Sequence, residues 1–249
     1  AVLYLFSPDG HFVGRVSVTG EQIVHRAPVL LPVEALDRCH VSTWTNAGAG
    51  QLFHSPAQGS GIEERAVSLI EGEDTFHGTP DDLFFGHARL APVGAAGPEV
   101  ITLARKNARM RITVRGLDRR IPEDRYYLTV EIPNDGYDFV GNPIAGTARV
   151  RRTGAFHDNG DFSTDEAFNL IHTDPAVSPA GGVTVNLYEK ALGRSADRLI
   201  ASVTDDDGRP ISLPAGRTVN LLIDLNEGEG LSVYTEITPW DEIYQWDIW

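Results

Sequence analysis

The chain has 249 residues, 41% of them hydrophobic, with 35 acidic and 21 basic side chains that give a net charge of −14. This length and apolar content allow one large or two ordinary domains with real cores, and argue against a disordered chain or a disulfide-stapled miniature. The surplus of negative charge repels nucleic acid and anionic lipid, and no apolar run reaches the roughly 18–20 residues needed to span a bilayer as a helix. The one cysteine, Cys39, cannot form an internal disulfide and reads as a small buried hydrophobe. Because the chain opens on Ala1 rather than Met, an upstream segment is expected to have been removed.

Short alternating runs separated by turn chemistry dominate from the first residues. Val2 to Phe6, the turn Ser7-Pro-Asp-Gly10 and His11 to Val18 read as strand, tight turn, strand. A short helix or turn at most is expected near Pro32 to Leu36. Strands are then predicted at Asp37 to Thr45, Ala66 to Ile70, Leu83 to Arg89, Val100 to Leu103, Arg109 to Gly116, Tyr126 to Ile132, Thr147 to Arg152, Ala167 to Ile171 and Val183 to Tyr188. Arg198 to Val203, the turn Thr204 to Pro210 and Ile211 to Leu213 repeat the hairpin grammar, followed by Thr218 to Leu225. In the last run, Leu231, Val233, Thr235 and Ile237 alternate with Ser232, Tyr234, Glu236 and Thr238 until Pro239 stops the strand. With 25 glycines and 15 prolines spread among these runs, no stretch sustains a helical period, and the fold class is all-β, built of sandwiches or barrels.

One junction divides the chain. Apolar strand character on both sides of the polar waist Arg105-Lys-Asn107 closes one domain at residues 1–105 and opens a second at 106–249. So short a junction restricts relative motion and lets the two domains act as one elongated rod.

The residues of chemical interest favour no catalytic site, no metal and no cofactor. Asp205-Asp-Asp-Gly208 and His157-Asp-Asn-Gly-Asp161 offer oxygen ligands but lack the remaining acidic positions of a calcium loop, and such sequences commonly make turns. Eight histidines are scattered without zinc spacing. Ser60 does not sit in a nucleophile elbow, and acidic neighbours such as Glu63-Glu64 point to opposite faces of a strand. The tail is more telling, since three of the four tryptophans, Trp240, Trp246 and Trp249, lie in the last ten residues. Aromatics at a chain end are expected to dock on a sheet or meet a partner, which makes Tyr244, Trp246 and Trp249 the candidate assembly surface. Trp44 and Trp240 read as core or inter-domain plugs. Sugar stacking on Trp240, Tyr244, Trp246 and Trp249, with Tyr126, Tyr127 and Tyr137, is the competing reading.

Six motifs stand in a telling order: the hairpin opening Leu3-Tyr-Leu-Phe-Ser-Pro-Asp-Gly-His-Phe12, Cys39-His-Val-Ser-Thr-Trp-Thr-Asn46, Asp81-Asp-Leu-Phe-Phe-Gly86, Val100 to Arg105 running into Met110 to Gly116, Asn134-Asp-Gly-Tyr-Asp-Phe-Val-Gly141, and Val233 to Trp240 with Ile243-Tyr-Gln245. Together they resemble the Bacteroidales fimbrillin-associated anchor family, lipoproteins that root major or minor fimbriae in the outer membrane. The resemblance covers nearly the whole chain. It implies two tandem transthyretin-like, Greek-key β-sandwich domains, a non-enzymatic role at the cell surface, fimbrillin subunits as partners, and a lipid anchor on a cysteine upstream of Ala1. Cys39 is not that cysteine. Arg15 and Arg26, the positions at which a shaft fimbrillin would be cleaved, read as ordinary strand or loop residues. A shaft or tip fimbrillin, a surface glycan-binding lipoprotein and a structural sandwich within a nutrient-uptake complex are the alternatives.

Overall fold

The alternating runs fold as sheets. The computed structural model describes residues 1–31, 38–46, 48–90, 99–173, 181–193, 196–225, 230–244 and 246. Strand makes up 52% and helix 5%, in three large sheets and one two-stranded ribbon, so the protein is all-β.

The first sheet runs Phe12–Ser17, Val2–Phe6, Cys39–Thr45, Phe84–Leu90 and Ala104–Arg105, each neighbouring pair antiparallel. Its period-two alternation produces two apolar faces. Tyr4, Phe6 and Trp44 enter the main core, while Leu3, Leu5, Cys39 and Val41 form a smaller cluster on the reverse. Burial there raises the pKa of the Cys39 thiol, in keeping with an inert apolar role. Gly20–Val24 forms a short helix that the sequence reading did not place. Its signal is Thr19-x-x-Gln22: the Gln22 N–H donates to Thr19 Oγ1 at 3.2 Å and the Thr19 N–H to Gln22 Oε1 at 2.9 Å, a reciprocal capping box. Pro32 to Leu36, where a helix was expected, lies outside the described residues.

The second sheet is organised by one long strand, Tyr126–Asp138, which continues past the expected end at Ile132. Along one edge its first half pairs with Thr184–Glu189, backed by Arg198–Val203, and its last residues pair with Arg65–Leu69, backed by Gln51–Phe53. Along the other edge it pairs with Pro143–Arg152. Pairing with Thr184–Glu189 ends at Glu131 and pairing with Arg65–Leu69 begins at Gly136. Pro133, which has no N–H to offer, therefore falls in the gap between the two neighbours, opposite a register shift in the hairpin partner.

The third sheet runs Gly154–Phe156, Phe162–Thr164, Asn107–Arg115, Arg217–Asp224 and Ser232–Pro239, with Phe168–Ile171 also on Asn107–Arg115. The pairing of Arg217–Asp224 with Asn107–Arg115 is parallel and the rest antiparallel.

Two expected strands are corrected. Val100 to Leu103 is irregular, and only Ala104–Arg105 pairs, with Phe84 and Phe85. Those residues instead cross directly over Gly86, where a Cβ would lie 2.7 Å from Ile101 Cγ2 and 2.8 Å from the Thr102 carbonyl. Ile211 to Leu213 is buried but not a strand, because its backbone bonds go to separate segments: Ile211 N–H to Thr204, Leu213 N–H to the Thr173 hydroxyl, and the Ile211 carbonyl to Val183.

The polar waist is fastened to the Asp81-Asp82-Leu83 motif. Arg105 makes a bidentate pair with Asp82 at 2.6 and 2.8 Å, the Leu83 N–H donates to Asn107 Oδ1 at 3.0 Å, and Asn107 Nδ2 donates to the Asp81 carbonyl at 2.7 Å. Trp44, 1% exposed, meets Phe85 at 4.6 Å and Tyr137 at 5.4 Å between ring centres, which joins a strand from before the waist to one from after it. Gly141 closes this contact, since at its φ of +88° an added Cβ would lie 2.5 Å from the Phe85 ring. Buried side chains from both sides of residue 105 form one connected cluster, from Tyr4 and Trp44 through Tyr137 to Leu221.

Candidate functional site

The last strand, Ser232–Pro239, pairs with Arg217–Asp224 over its whole length and lies at the edge of its sheet. Beyond it the chain turns back over the neighbouring strand, so the tail is docked. The Trp240 carbonyl accepts from the Thr218 hydroxyl at 2.7 Å and from Arg109 at 3.3 Å. Thr238 Oγ1 donates to the Glu242 carbonyl at 2.6 Å, and the Tyr244 N–H donates to Asn220 Oδ1 at 3.2 Å. Thr218 and Asn220 are polar yet buried, so these tail groups satisfy donors and acceptors that burial would otherwise penalise.

Trp240 also ties the tail to the waist. The Arg105 guanidinium lies 4.1 Å from its ring centre and that of Arg109 lies 5.2 Å away, while Arg105 is held by Asp82. Of the sequence-derived assembly residues, the structure brings two together. Tyr244, 41% exposed, meets the half-buried Trp246 edge-to-face at 4.9 Å between centres. Trp249 lies outside the described residues. Tyr234, Ile237 and Ile243 are exposed large apolar side chains of the same strand and tail. The proposed sugar platform is corrected: Tyr126, Tyr127 and Tyr137 are buried, with Tyr126 packed against Phe156 and Phe162 and Tyr127 against Tyr188. Burial drives the Tyr127 hydroxyl up to about 12, helped by its hydrogen bond to Asp197.

The acidic turns serve local structure. In the ribbon Asp205–Asp206 with Arg209–Pro210, Asp205 accepts from the Gly208 N–H at 2.9 Å and Asp206 reaches across to Thr235 on the edge strand. Asp161 pairs with Arg115 through two bonds of 3.1 Å. Among the described residues, no group of three or more His, Cys, Asp or Glu side chains converges as metal ligands. His40 and His87 do meet, with rings stacked at 5.5 Å and Nδ1 to Nε2 at 3.3 Å. Burial lowers the His87 pKa, and His40 and Arg89 lower it further, while Asp138 opposes them. Sequence reading missed this pair because cross-strand neighbours forty-seven residues apart carry no local signature.

A family model for the fimbrillin-A associated anchor proteins Mfa1 and Mfa2 matches residues 1–246, almost the whole chain. The chain belongs to this anchor family. The major fimbrium anchoring subunit FimB of Porphyromonas gingivalis is 24% identical over 257 residues, spanning 98% of this chain and 80% of FimB. Among solved structures, the fimbrial anchor protein Mfa2 from Porphyromonas gingivalis aligns with a TM-score of 0.63 at 14% identity, over 96% of this chain and 88% of that one. A DUF1812 protein from Bacteroides thetaiotaomicron aligns with a TM-score of 0.68 at 15% identity, over 98% of this chain and 89% of that one. These likenesses establish the β-sandwich fold, and the anchor family to which the chain belongs is a structural one rather than an enzyme family.

Proposed function

We propose that this protein is a non-enzymatic anchoring subunit that roots a fimbria in the outer membrane through a lipid outside these residues. It holds a fimbrillin subunit through strand edges and the tail surface of Tyr244, Trp246 and Trp249. The whole-chain match to the anchor family carries the reading. In it, residues 1–105 and 106–249 are two sandwich units that share the sheet of Tyr126–Asp138 and act as one load-bearing body, a coupling that the Arg105–Asp82 pair and the Trp44–Tyr137 contact support. Strand addition suits such a joint because one row of backbone bonds forms at once, and among the described residues Arg198–Val203 is an edge strand with a single neighbour. On the membrane side, a single acyl chain gives only marginal binding, so stable rooting takes a second contact.

The test is fibre retention on cells that carry Tyr244→Ala and Trp246→Ala together. Fibres shed into the medium from cells that display normal amounts of the anchor support the tail as the grip. Normal retention removes the tail from the interface, and fibres that stay on cells from which the whole protein has been lost argue against the anchor role itself.

A further inference from the structure

Arg152 carries a buried side-chain nitrogen that no hydrogen bond satisfies. Its neighbour in register is the core residue Leu128, so it shares a face of its strand with Val150 and is half-buried. Its guanidinium lies 4.8 Å from the Phe168 ring centre. Its Nε is fully buried without a hydrogen-bond partner, and among the described residues no carboxylate pairs with it. Burial lowers its pKa, the mark of a cation short of compensating interactions. A half-buried guanidinium whose Nε has no partner and that no carboxylate neutralises costs stability, and an unbranched apolar side chain would serve the fold better.

This arginine borders an open, largely polar cleft of about 750 Å3. The lining supplies both signs of charge: Arg151 and Arg152 on one strand, and Asp165 and Glu166, both exposed, in the bend that leads to Phe168. Thr79, Thr153 and Asn169 add neutral hydrogen-bonding groups. A guanidinium fork takes a carboxylate in two parallel bonds, while the two acidic residues repel a polyanion and attract an ammonium.

We propose that this cleft binds a protein segment in which an acidic side chain lies close to a basic one, the carboxylate seated on Arg152 and the cation between Asp165 and Glu166. The site is separate from the C-terminal tail and stands whether or not the tail grips a fimbrial subunit. An acidic sugar satisfies Arg152 but leaves the acidic pair without a partner, so the peptide is the better match.

The probe is the tripeptide Ac-Glu-Gly-Lys-NH2, whose charged side chains share one face when extended, titrated calorimetrically into the full chain. The expected result is saturable binding, at least tenfold weaker for Ac-Gln-Gly-Lys-NH2 and at least tenfold weaker in Arg152→Gln. Arg152→Lys keeps the charge, loses the fork and should bind at least threefold more weakly. Arg152→Met should melt higher than the parent, because it removes the unpaired charge. No saturable binding of the tripeptide, equal affinity for the Gln control, tighter binding of glucuronate, or a lower melting temperature for Arg152→Met would each overturn the proposal.

Discussion

The Asp206 carboxylate accepts hydrogen bonds from both the backbone N–H and the hydroxyl of Thr235, at 3.0 and 2.5 Å. Thr235 sits midway along the exposed edge strand, with Leu221 its partner on the inner side. The ribbon that carries Asp206 thus occupies a donor that an incoming strand would use. Edge strands are commonly protected by a charge of this kind.

Asp206→Ala should accordingly open this edge. The loss in stability should be modest, about 1 kcal/mol for the net hydrogen bonding removed. The larger effect should be self-association, read as concentration-dependent dimers or aggregates by light scattering, with Asp205→Ala as the control that leaves Thr235 capped. A variant that stays monomeric at high concentration would mean that the edge is protected by something other than Asp206.

The region around Tyr137 predicts a single cooperative unfolding transition. The Tyr137 hydroxyl lies 3.0 Å from the Lys106 carbonyl and 2.9 Å from His172 Nδ1, and it accepts the His172 N–H at 3.1 Å. Its ring meets Trp44 on the other side of the waist. Calorimetry should therefore show one peak although the chain is long enough for two domains. Tyr137→Phe should lower stability by about 1–3 kcal/mol, because buried partners are left unpaired, and Trp44→Ala by about 3–5 kcal/mol. Two separated melting transitions in the parent protein would show that the shared strand and core do not couple the halves.

Mild acid should weaken the first sheet through His87. Burial holds the folded-state pKa of His87 below its ordinary value of 6.5, with His40 and Arg89 adding to the shift. The unfolded chain therefore takes up the proton first as pH falls. Stability is complete above 6.5 and declines as pH drops below it toward the folded-state value. His54 acts in the same direction, lowered by burial and by Arg65. Asp138 has the opposite sign: burial raises its pKa, so the stability it adds is present below 3.8 and is lost as pH rises through its folded value. His87→Gln should flatten the fall in melting temperature as the pH drops below 6.5. Parallel slopes in the parent and the variant would remove the histidine pair from this role.

Most of the strands were legible in the sequence, because period-two alternation is local and the turns at Ser7 to Gly10 and Thr204 to Pro210 are written in Pro, Asp and Gly. What was not legible depended on distant partners. Tyr126–Asp138 was expected to end at Ile132, yet the strand runs on through Pro133, where it changes neighbours and needs no N–H. Val100 to Leu103 has strand composition, but its backbone is diverted over Gly86. At the tail, exposure of Tyr244 could be expected from its place beyond the alternating run. The hold of Arg105 and Arg109 on Trp240 could not, since it joins residues more than a hundred positions apart.

The tail itself gives the most direct comparison. Removing residues 231–249 deletes the 8-residue strand Ser232–Pro239 and uncovers Thr218, Asn220 and Leu222, which are buried at 0%, 1% and 4% exposure. It also removes the Trp240 ring from Arg105 and the Trp240 carbonyl from Arg109 and Thr218. A loss of this size should exceed the roughly 5–15 kcal/mol that holds a domain folded, and the product should aggregate. Removing only residues 245–249 leaves the strand, Trp240 and the Tyr244 N–H in place; among the described residues it takes away only Trp246 and its contact with Tyr244. The melting temperature should then fall by no more than about 2–4 °C, equivalent to about 1 kcal/mol in a protein of this size, while fibre retention on cells declines. The pair is scored by thermal melting and by counting cell-bound fibres. Outright unfolding of the short truncation would make the terminal aromatics part of the core and remove their role in assembly. Unchanged stability together with unchanged retention would make them incidental to both.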